Sequence, residues 1–196
     1  MSHSAHGAIP VISATGLFTP TDTISNAELV ASFNAYADRY NAAHPDAEPL
    51  THSSVEFVEK ASGIKSRHVM DKTAILDPDI TEPRYAERPN DQISLMAEIG
   101  VAACRDALAK AGRDIADVDA VLCAASNMQR PYPALSVELQ QALGAGGYAF
   151  DMNVACSSAT FAISNAVNAI RGGTASVVLV VNPEFASPQV NYTSRD

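Results

Sequence analysis

Three short apolar runs in the second half of the chain constrain its fold more than any other sequence feature. They cover residues 120–126, 148–155 and 176–184, and they have the length and composition of strands buried on both faces. The segments between them are long enough for helices. Strands that alternate with helices form right-handed crossovers and lie side by side in a parallel sheet. The sequence therefore predicts an α/β fold with a largely parallel sheet covered on both faces.

Helix boundaries are marked by capping residues and glycines. Ser25 and Glu28 have the spacing of a capping box, in which each side chain bonds the other residue's backbone amide. They predict the start of a helix over 26–42, and a shorter helix over 53–61 is expected to stop at Gly63. Further helices are predicted up to Gly112, from the prolines at 131 and 133 to Leu143, and from Cys156 to Arg171.

The first ninety residues are less regular. Residues 1–7 read as a flexible polar tail, and strands are predicted over 8–16 and 64–71. The segment 72–90 contains three prolines and no periodicity, which indicates a long surface loop. Because no stretch has the composition of a linker, residues 8–196 are expected to form one unit.

Composition and charge exclude several classes of function. A net charge of −9 and a pI near 4.9 disfavour nucleic acid and membrane surfaces as partners, because both require clustered basic residues. No apolar run has the length of a membrane span. Cys104, Cys123 and Cys156 show no CxxC pairing, so neither a metal site nor a disulfide framework is expected, and a reducing, cytoplasmic location is predicted. Cys104 and Cys123 fall in apolar patterns and are interpreted as core residues.

Cys156 stands where the strand 148–155 gives way to a helix. Unpaired amides and the helix dipole at this position favour a thiolate, and the amides at 156 and beyond could hold an oxyanion. Ser157, Ser158 and Ala159 are small enough to admit a substrate. From the residues alone, a packed cysteine and a nucleophile both remain open. The chain contains five histidines, which are His3, His6, His44, His52 and His68. None of them is placed by sequence to act as the base of Cys156.

Three ordered stretches resemble one enzyme family. The run GYAFDMNVACSSATFAISNAVNAIRGGTASVVLVVNPE, which begins at Gly147, resembles the nucleophile segment of the β-ketoacyl-acyl-carrier-protein synthase III family of thiolase-like condensing enzymes. SGIKSRHVMD (62–71) and RPYPALSVELQQALG (130–144) resemble two further family elements. The resemblance covers the chain from about residue 8. It implies a thiolase-like fold, layered αβαβα in the complete protein, in which this chain forms most of the N-terminal repeat and is incomplete at its C-terminus.

The resemblance also implies a reaction and a set of site residues. Cys156 matches the cysteine that accepts an acyl group from acyl-CoA, and its amide matches an oxyanion donor. Decarboxylation of malonyl-acyl carrier protein would then supply the carbanion for a Claisen condensation. Tyr132 matches an aromatic residue that reaches across a homodimer interface into the partner's acyl pocket, and Arg195 matches an arginine that contacts the CoA nucleotide. No cofactor is implied, since acyl-CoA is a substrate.

Two departures from the family pattern bear on the substrate. Phe57 and Ala61 stand where well-known members have a tryptophan and an arginine that hold the CoA adenine, and the chain contains no tryptophan. The segment 72–90 is longer than in acetyl-CoA-using members, which favours a medium-chain or other non-acetyl donor. Phe57 is retained as a candidate substrate-binding residue.

The family's decarboxylating histidine and asparagine lie in the second half of a longer chain. A C-terminal half of the same enzyme is therefore expected as a partner. Two alternatives remain: a thiolase-like or polyketide-type synthase, and a non-catalytic ketosynthase-like subunit that acts by heterodimerisation. Lys60, Lys65 and Arg67 form a candidate docking cluster for the acidic carrier protein, with an ordinary solvated surface as the competing interpretation.

Overall fold

The structure, a computed structural model, describes residues 9–194. The predicted tail at 1–7 lies outside these residues. The described chain divides into two compact units rather than the single unit expected. The first consists of Arg88–Phe185 with the N-terminal segment up to Phe18, and the second consists of Thr19–Glu87 with the residues from Ala186 onward.

Regular elements follow one another along the described chain. In order they are β1 (Asp22–Ser25), α1 (Asn26–Ala43), α2 (Val55–Ser62), β2 (Ser66–Val69), α3 (Lys72–Leu76), α4 (Leu95–Ala111), a 3-10 turn (Ile115–Asp117), β3 (Ala120–Ala124), α5 (Leu135–Leu143), β4 (Tyr148–Met152), α6 (Ser158–Arg171), β5 (Val178–Val181) and a 3-10 turn (Ser187–Gln189).

The first unit is built on a three-stranded parallel sheet in the order β4-β3-β5. Leu122 of β3 pairs with Phe150 on one side and Val180 on the other. All five residues of β3 are buried, as expected for a central strand covered on both faces. The predicted α/β architecture is confirmed for this unit, although each strand is shorter than its apolar run.

Asp119 joins the three strands where they begin. Its backbone N–H donates to the Val177 carbonyl at 2.9 Å, and its carbonyl accepts from the Tyr148 amide at 3.2 Å. Its carboxylate accepts from the amides of Ser176 and Val177 at 2.7 and 3.0 Å. These backbone hydrogen bonds lower the pKa of Asp119. One residue therefore sets the register of β4 and β5 against β3.

Helix ends follow the local signals in the sequence. The Ser25 hydroxyl accepts from the Glu28 amide, and the Glu28 carboxylate accepts from the Ser25 amide, which completes the predicted capping box. α4 and α5 end at Gly112 and Gly144, both in the left-handed conformation that glycine adopts without steric cost. The predicted helices are confirmed, with starts and ends shifted by a few residues.

The predicted strand at 8–16 is wrong over its described part, because residues 9–16 pair with no strand. A side chain on Gly16 would overlap the Ala103 carbonyl oxygen of α4, so this backbone lies directly on that helix. The Leu17 amide donates to the Asp106 carboxylate at 3.0 Å. The segment is therefore fixed to a helix rather than to a sheet edge, and its apolar side chains Val11 and Ile12 are exposed.

The three cysteines fall into two classes. Cys104 and Cys123 are buried in the core of the first unit, as predicted, whereas Cys156 is exposed. Burial raises the pKa of the Cys104 thiol to about 12. Burial, followed by the nearby Asp151 carboxylate, also raises the pKa of Cys123. Both buried thiols are therefore held in the protonated form.

The second unit is organised by a short antiparallel pair. Thr23 of β1 pairs with His68 of β2, and its core is formed by Ile24, Val69, Ile75 and Tyr192. β2 confirms the strand predicted within 64–71, but β1 has no counterpart among the predictions, and the pairing is antiparallel.

The segment 72–90 is not a loop throughout. It begins with α3, whose Ala74 and Ile75 are buried, and the Asp71 carboxylate caps this helix by accepting from the Ala74 amide at 3.1 Å. Residues 77–90 contain neither helix nor strand. The prolines therefore mark the irregular part correctly, while the local helix signal at Asp71 was missed.

Gly147 and Gly144 provide a matched test of the strand junction. Both have positive φ angles, but a Cβ on Gly147 would overlap the Asp119 carbonyl, whereas one on Gly144 would enter open space. Gly144→Ala should lower the free energy of unfolding by about 1 kcal/mol. Gly147→Ala should lower it by roughly 3 kcal/mol or more, because the junction must also shift. Urea denaturation measures both, and equal losses would contradict the packing described for Asp119.

The exposure of the thiols predicts selective alkylation. In the folded chain at about pH 8, iodoacetamide should modify Cys156, because reaction requires an accessible thiolate. Cys104 and Cys123 should react only in denaturant, where all three cysteines become accessible. Peptide mass mapping identifies the labelled residue. Labelling of either core cysteine under native conditions would show that the reagent reaches the core of the first unit in the folded chain.

Candidate active site

The turn from β4 to α6 contains a strained residue directly before Cys156. Ala155 has a φ of 48°, in the left-handed region, which costs an L-residue with a Cβ roughly 1–2 kcal/mol. Cys156 follows with its side chain exposed, and Ser157 is the N-cap of α6. The structure therefore places the thiol at the junction of a strand and a helix, as predicted from the sequence.

Ser158 supports this turn from inside. The residue is 3% exposed, and its hydroxyl donates to the Ala155 carbonyl at 2.7 Å and accepts from the Val154 amide at 2.8 Å. Buried hydroxyl groups are stable only when they are hydrogen-bonded. Both bonds go to the backbone immediately before Cys156, so the side chain links the turn to the first residue of α6.

The first amides of α6 were expected from the sequence to be free to hold an oxyanion, and the structure differs. The Ser157 amide donates to the Val154 carbonyl and the Ser158 amide donates to the Ala155 carbonyl, both at 3.1 Å. These two amides therefore close the turn itself, and they are occupied as donors. Of the amides proposed to hold an oxyanion, the Cys156 amide remains the candidate.

Polar side chains connect the three strand ends near Cys156. Asn153 donates to the Ser126 carbonyl at 2.9 Å and accepts from the Ala155 amide at 3.0 Å. The Ser126 amide donates to Glu184 at 2.7 Å, and Asn182 donates to the Ala124 carbonyl at 2.7 Å. Ligand sites in parallel sheets gather at this edge. Sequence reasoning missed these residues, although polar residues directly after buried strands are the signal that marks them.

Tyr132 lies on the loop between β3 and α5 and is 86% exposed. The loop is tied to α4, because the Met96 amide donates to the Gln129 side chain at 3.1 Å. Arg130 lies 3.6 Å from Glu138, which is 5% exposed. An exposed aromatic side chain is thus presented by a loop whose base is fixed on both sides.

Glu138 also accepts two hydrogen bonds from the N-cap of α4. The Ser94 amide and hydroxyl donate to its carboxylate at 3.1 and 2.7 Å, and Ser94 is fully buried. A buried carboxylate requires such partners because burial removes its hydration. Glu138 therefore links the start of α4, the middle of α5 and the loop that carries Tyr132.

Asp151 of β4 secures the other end of that loop. Ala134, the N-cap of α5, provides no side-chain cap. Instead, the Asp151 carboxylate accepts from the amides of Leu135 and Ser136 at 2.8 and 2.7 Å. The start of α5 is thus bound to the strand that leads to Cys156.

The remaining predicted site residues belong to the second unit. Phe57 of α2 is 37% exposed, and Lys60 and Lys65 are exposed, with the Lys65 ammonium 3.5 Å from Glu59. Arg67 differs from the expectation of a surface cluster. It is half-buried, donates to the Asn26 side chain at 3.1 Å, and burial lowers its pKa.

Arg195 lies outside the described residues, as do His3 and His6. The described histidines all lie in the second unit and contact local groups. His44 contacts the Tyr40 carbonyl, His52 contacts Asp38, and His68 contacts the Pro20 carbonyl. Within the described part of the first unit, no histidine accompanies Cys156.

A cavity of about 500 Å³ lies between the N-terminal segment, α4, α6 and β5. Neither Cys156 nor Tyr132 lines it, whereas Asn182 and Glu184, which lie at the end of β5 near the candidate site, do. Over residues 9–194, no group of three or more histidine, cysteine, aspartate or glutamate side chains is arranged to hold a metal ion. Among the helices of the same described range, none combines the length and the apolar character needed to cross a membrane.

Comparison with known proteins gives one consistent result. The family model of 3-oxoacyl-[acyl-carrier-protein] synthase III matches residues 150–196. A β-ketodecanoyl-[acyl-carrier-protein] synthase of Pseudomonas aeruginosa is 52% identical over 84% of this chain and 49% of its own length. A β-ketoacyl-[acyl-carrier-protein] synthase III of Rhizobium johnstonii is 32% identical over 85% of this chain and 46% of its own.

A solved structure supports the fold. The 3-oxoacyl-[acyl-carrier-protein] synthase III of Aquifex aeolicus superposes with a TM-score of 0.66 at 24% identity, over 93% of this chain and 47% of that one. This likeness confirms the expected thiolase-like α/β fold. The chain spans about half the length of the curated relatives it matches. It belongs to the family of 3-oxoacyl-acyl-carrier-protein synthase III, also called β-ketoacyl-acyl-carrier-protein synthase III.

Proposed function

We propose that this chain supplies the acyl-accepting part of a condensing enzyme of fatty acid biosynthesis. Cys156 attacks an acyl-CoA thioester, so that a bond forms between Sγ and the acyl carbon while the bond to the CoA sulfur breaks. The CoA thiol leaves with the proton that Cys156 gives up. The observation that carries the proposal is the exposed thiol on a strained turn directly before α6, in a chain of this family.

The second step of the reaction requires groups supplied from elsewhere. A malonyl thioester on acyl carrier protein loses CO₂, and the resulting carbanion forms a carbon–carbon bond to the acyl carbon. The bond from that carbon to Sγ of Cys156 breaks, which gives a β-ketoacyl-acyl carrier protein and frees the Cys156 thiolate. We assign the histidine and asparagine that promote decarboxylation to a C-terminal half of the enzyme. This assignment is supported by the share of the relatives that the chain covers and by the lack of a histidine in the described part of the first unit.

A medium-chain acyl donor is supported by the name of one relative. The Pseudomonas relative, which is 52% identical over 171 residues, is named for a β-ketodecanoyl product. Since the condensation adds two carbons, a ten-carbon product requires an eight-carbon donor. In this proposal Tyr132 reaches the acyl pocket of the partner in a homodimer, which is supported by its 86% exposure on a loop anchored through Gln129 and Arg130.

Phe57 and Arg195 are proposed to contact CoA, and we place the reaction in the cytoplasm. The cytoplasmic location is supported by the three cysteines, all of which are free thiols, as is usual in a reducing compartment.

Acyl transfer can be tested directly. The 196-residue chain incubated with octanoyl-CoA should gain one acyl group at Cys156, faster than with acetyl-CoA, and Cys156→Ala should gain none. Ketoacyl product should form only after the C-terminal half of the Pseudomonas relative and malonyl-acyl carrier protein are added. Intact and peptide mass spectrometry follow both steps. Acylation that persists in Cys156→Ala, or product from the chain alone, would contradict the proposal.

Tyr132→Ala should change the ratio of octanoyl to acetyl transfer once the halves are combined.

The carrier-protein docking site is proposed at Lys60 and Lys65, without Arg67, because the Arg67 side chain is directed to Asn26. Both lysines are exposed on the second unit. The acyl carrier protein is acidic, and the chain itself carries a net charge of −9. Local positive charge would therefore matter for association more than for the final affinity.

Charge reversal tests this site. Lys60→Glu with Lys65→Glu should slow association with acyl carrier protein by about tenfold at low salt, while acylation from octanoyl-CoA stays unchanged. Lys110→Glu with Arg105→Glu, two exposed residues of the first unit, provides a control of equal charge change. Surface plasmon resonance gives the association rates. If this control variant slows association equally, the effect comes from net charge and docking lies elsewhere.

A further inference from the structure

We propose that Ser158 is a positioning residue for Cys156, because its hydroxyl holds the Val154–Ala155 backbone in the left-handed turn that presents the thiol. This inference rests on the proposed acyl transfer to Cys156. It goes beyond that proposal by naming a side chain, outside the reacting groups, on which the rate of transfer depends.

The two hydrogen bonds of the Ser158 hydroxyl close a short backbone loop that contains Cys156. The hydroxyl of Ser158, the first residue of α6, reaches back to the Ala155 carbonyl at 2.7 Å and to the Val154 amide at 2.8 Å. Cys156 lies between the bonded residues and Ser158 in the chain. Ser158 as a residue is only 3% exposed, so water has little access to its hydroxyl. The backbone on the N-terminal side of Cys156 is therefore fixed to the helix on its C-terminal side.

The turn needs this support because Ala155 has a Cβ. A φ of 48° is disfavoured for an alanine, and such a conformation persists only where its surroundings determine it. Ser158 bonds the carbonyl of Ala155, and Asn153 bonds its amide at 3.0 Å. The residue before the thiol is thus held on both sides by side chains.

Ser157 provides an internal comparison. It is exposed, and as the N-cap of α6 it makes no side-chain capping hydrogen bond. The two serines are adjacent and chemically identical, but the structure uses only the hydroxyl of Ser158. Replacing each by alanine therefore removes the same group from two positions, of which one supports the turn.

Acyl transfer and alkylation place different demands on the thiol. Attack on a thioester requires a defined direction of approach and a donor at the developing oxyanion, and small displacements of a reacting group cost up to about a hundredfold in rate. Alkylation by iodoacetamide requires only an accessible thiolate. Loss of the Ser158 hydroxyl should therefore slow acyl transfer much more than alkylation.

The experiment compares Ser158→Ala, Ser157→Ala and Ser158→Thr in the 196-residue chain. Ser158→Ala should slow octanoyl transfer to Cys156 by about tenfold to a hundredfold and change the iodoacetamide rate by less than about twofold. Ser157→Ala should change neither rate. Ser158→Thr, which keeps the hydroxyl, should restore most of the transfer rate. Asn153→Ala removes the side-chain bond to the Ala155 amide and should produce the same difference between the two reactions.

A structural readout accompanies the rates. The ¹³C chemical shifts of Ala155 report its φ angle, and their left-handed values should be lost in Ser158→Ala and kept in Ser157→Ala. The inference is overturned if Ser158→Ala transfers acyl groups at the Ser157→Ala rate, if transfer and alkylation slow by the same factor, or if the Ala155 shifts do not change. A wild-type chain that is alkylated at Cys156 but never acylated rejects the proposed function instead. The Ala155 shifts then decide by themselves whether Ser158 holds the turn.

Discussion

The first unit depends on the hydrogen bonds that Asp119 makes to the neighbouring strands where they begin. Its backbone and carboxylate bind Val177, Ser176 and Tyr148, so that β4 and β5 enter the sheet at a fixed register on either side of β3. Since strands of matched register also end together, their carboxyl ends meet at one edge. There, Asn153 bonds Ser126 and the turn before Cys156. The strand that leads to the thiol is thus aligned at the opposite end of the sheet, while Asn153 and Ser158 hold the turn itself.

Local signals explain why most of the secondary structure could be predicted. A capping box such as Ser25 with Glu28, or a glycine that ends a helix, acts within a few residues and is visible in sequence. β1 was missed because it has four residues and exists through pairing with β2, more than forty positions further along the chain. The error at 8–16 has a related cause. An apolar pattern gives the character of a segment but not its partner, and here the partner is α4, reached through Gly16 and Asp106.

The candidate site shows the same division between local and tertiary information. The sequence placed Cys156 at a strand-helix junction, which the structure reproduces, because the apolar run of β4 and the small residues of α6 adjoin it. The use of individual groups was beyond sequence reasoning. Ser157 and Ser158 are adjacent and chemically identical in the sequence, yet Ser157 is exposed and Ser158 is buried. Likewise, Arg67 was grouped with Lys60 and Lys65 by proximity along the chain, whereas its side chain is directed inward to Asn26.

The second unit is discontinuous in sequence, and this has a consequence for the order in which the protein folds during synthesis. Its core combines Ile24, Val69 and Ile75 with Tyr192, which is made only after the whole of Arg88–Phe185 has been translated. By contrast, β3, α5, β4, α6 and β5 follow one another directly, so their contacts close short loops. The sheet that presents Cys156 can therefore assemble before the core of the second unit is complete, because Tyr192 is synthesised after all three of its strands.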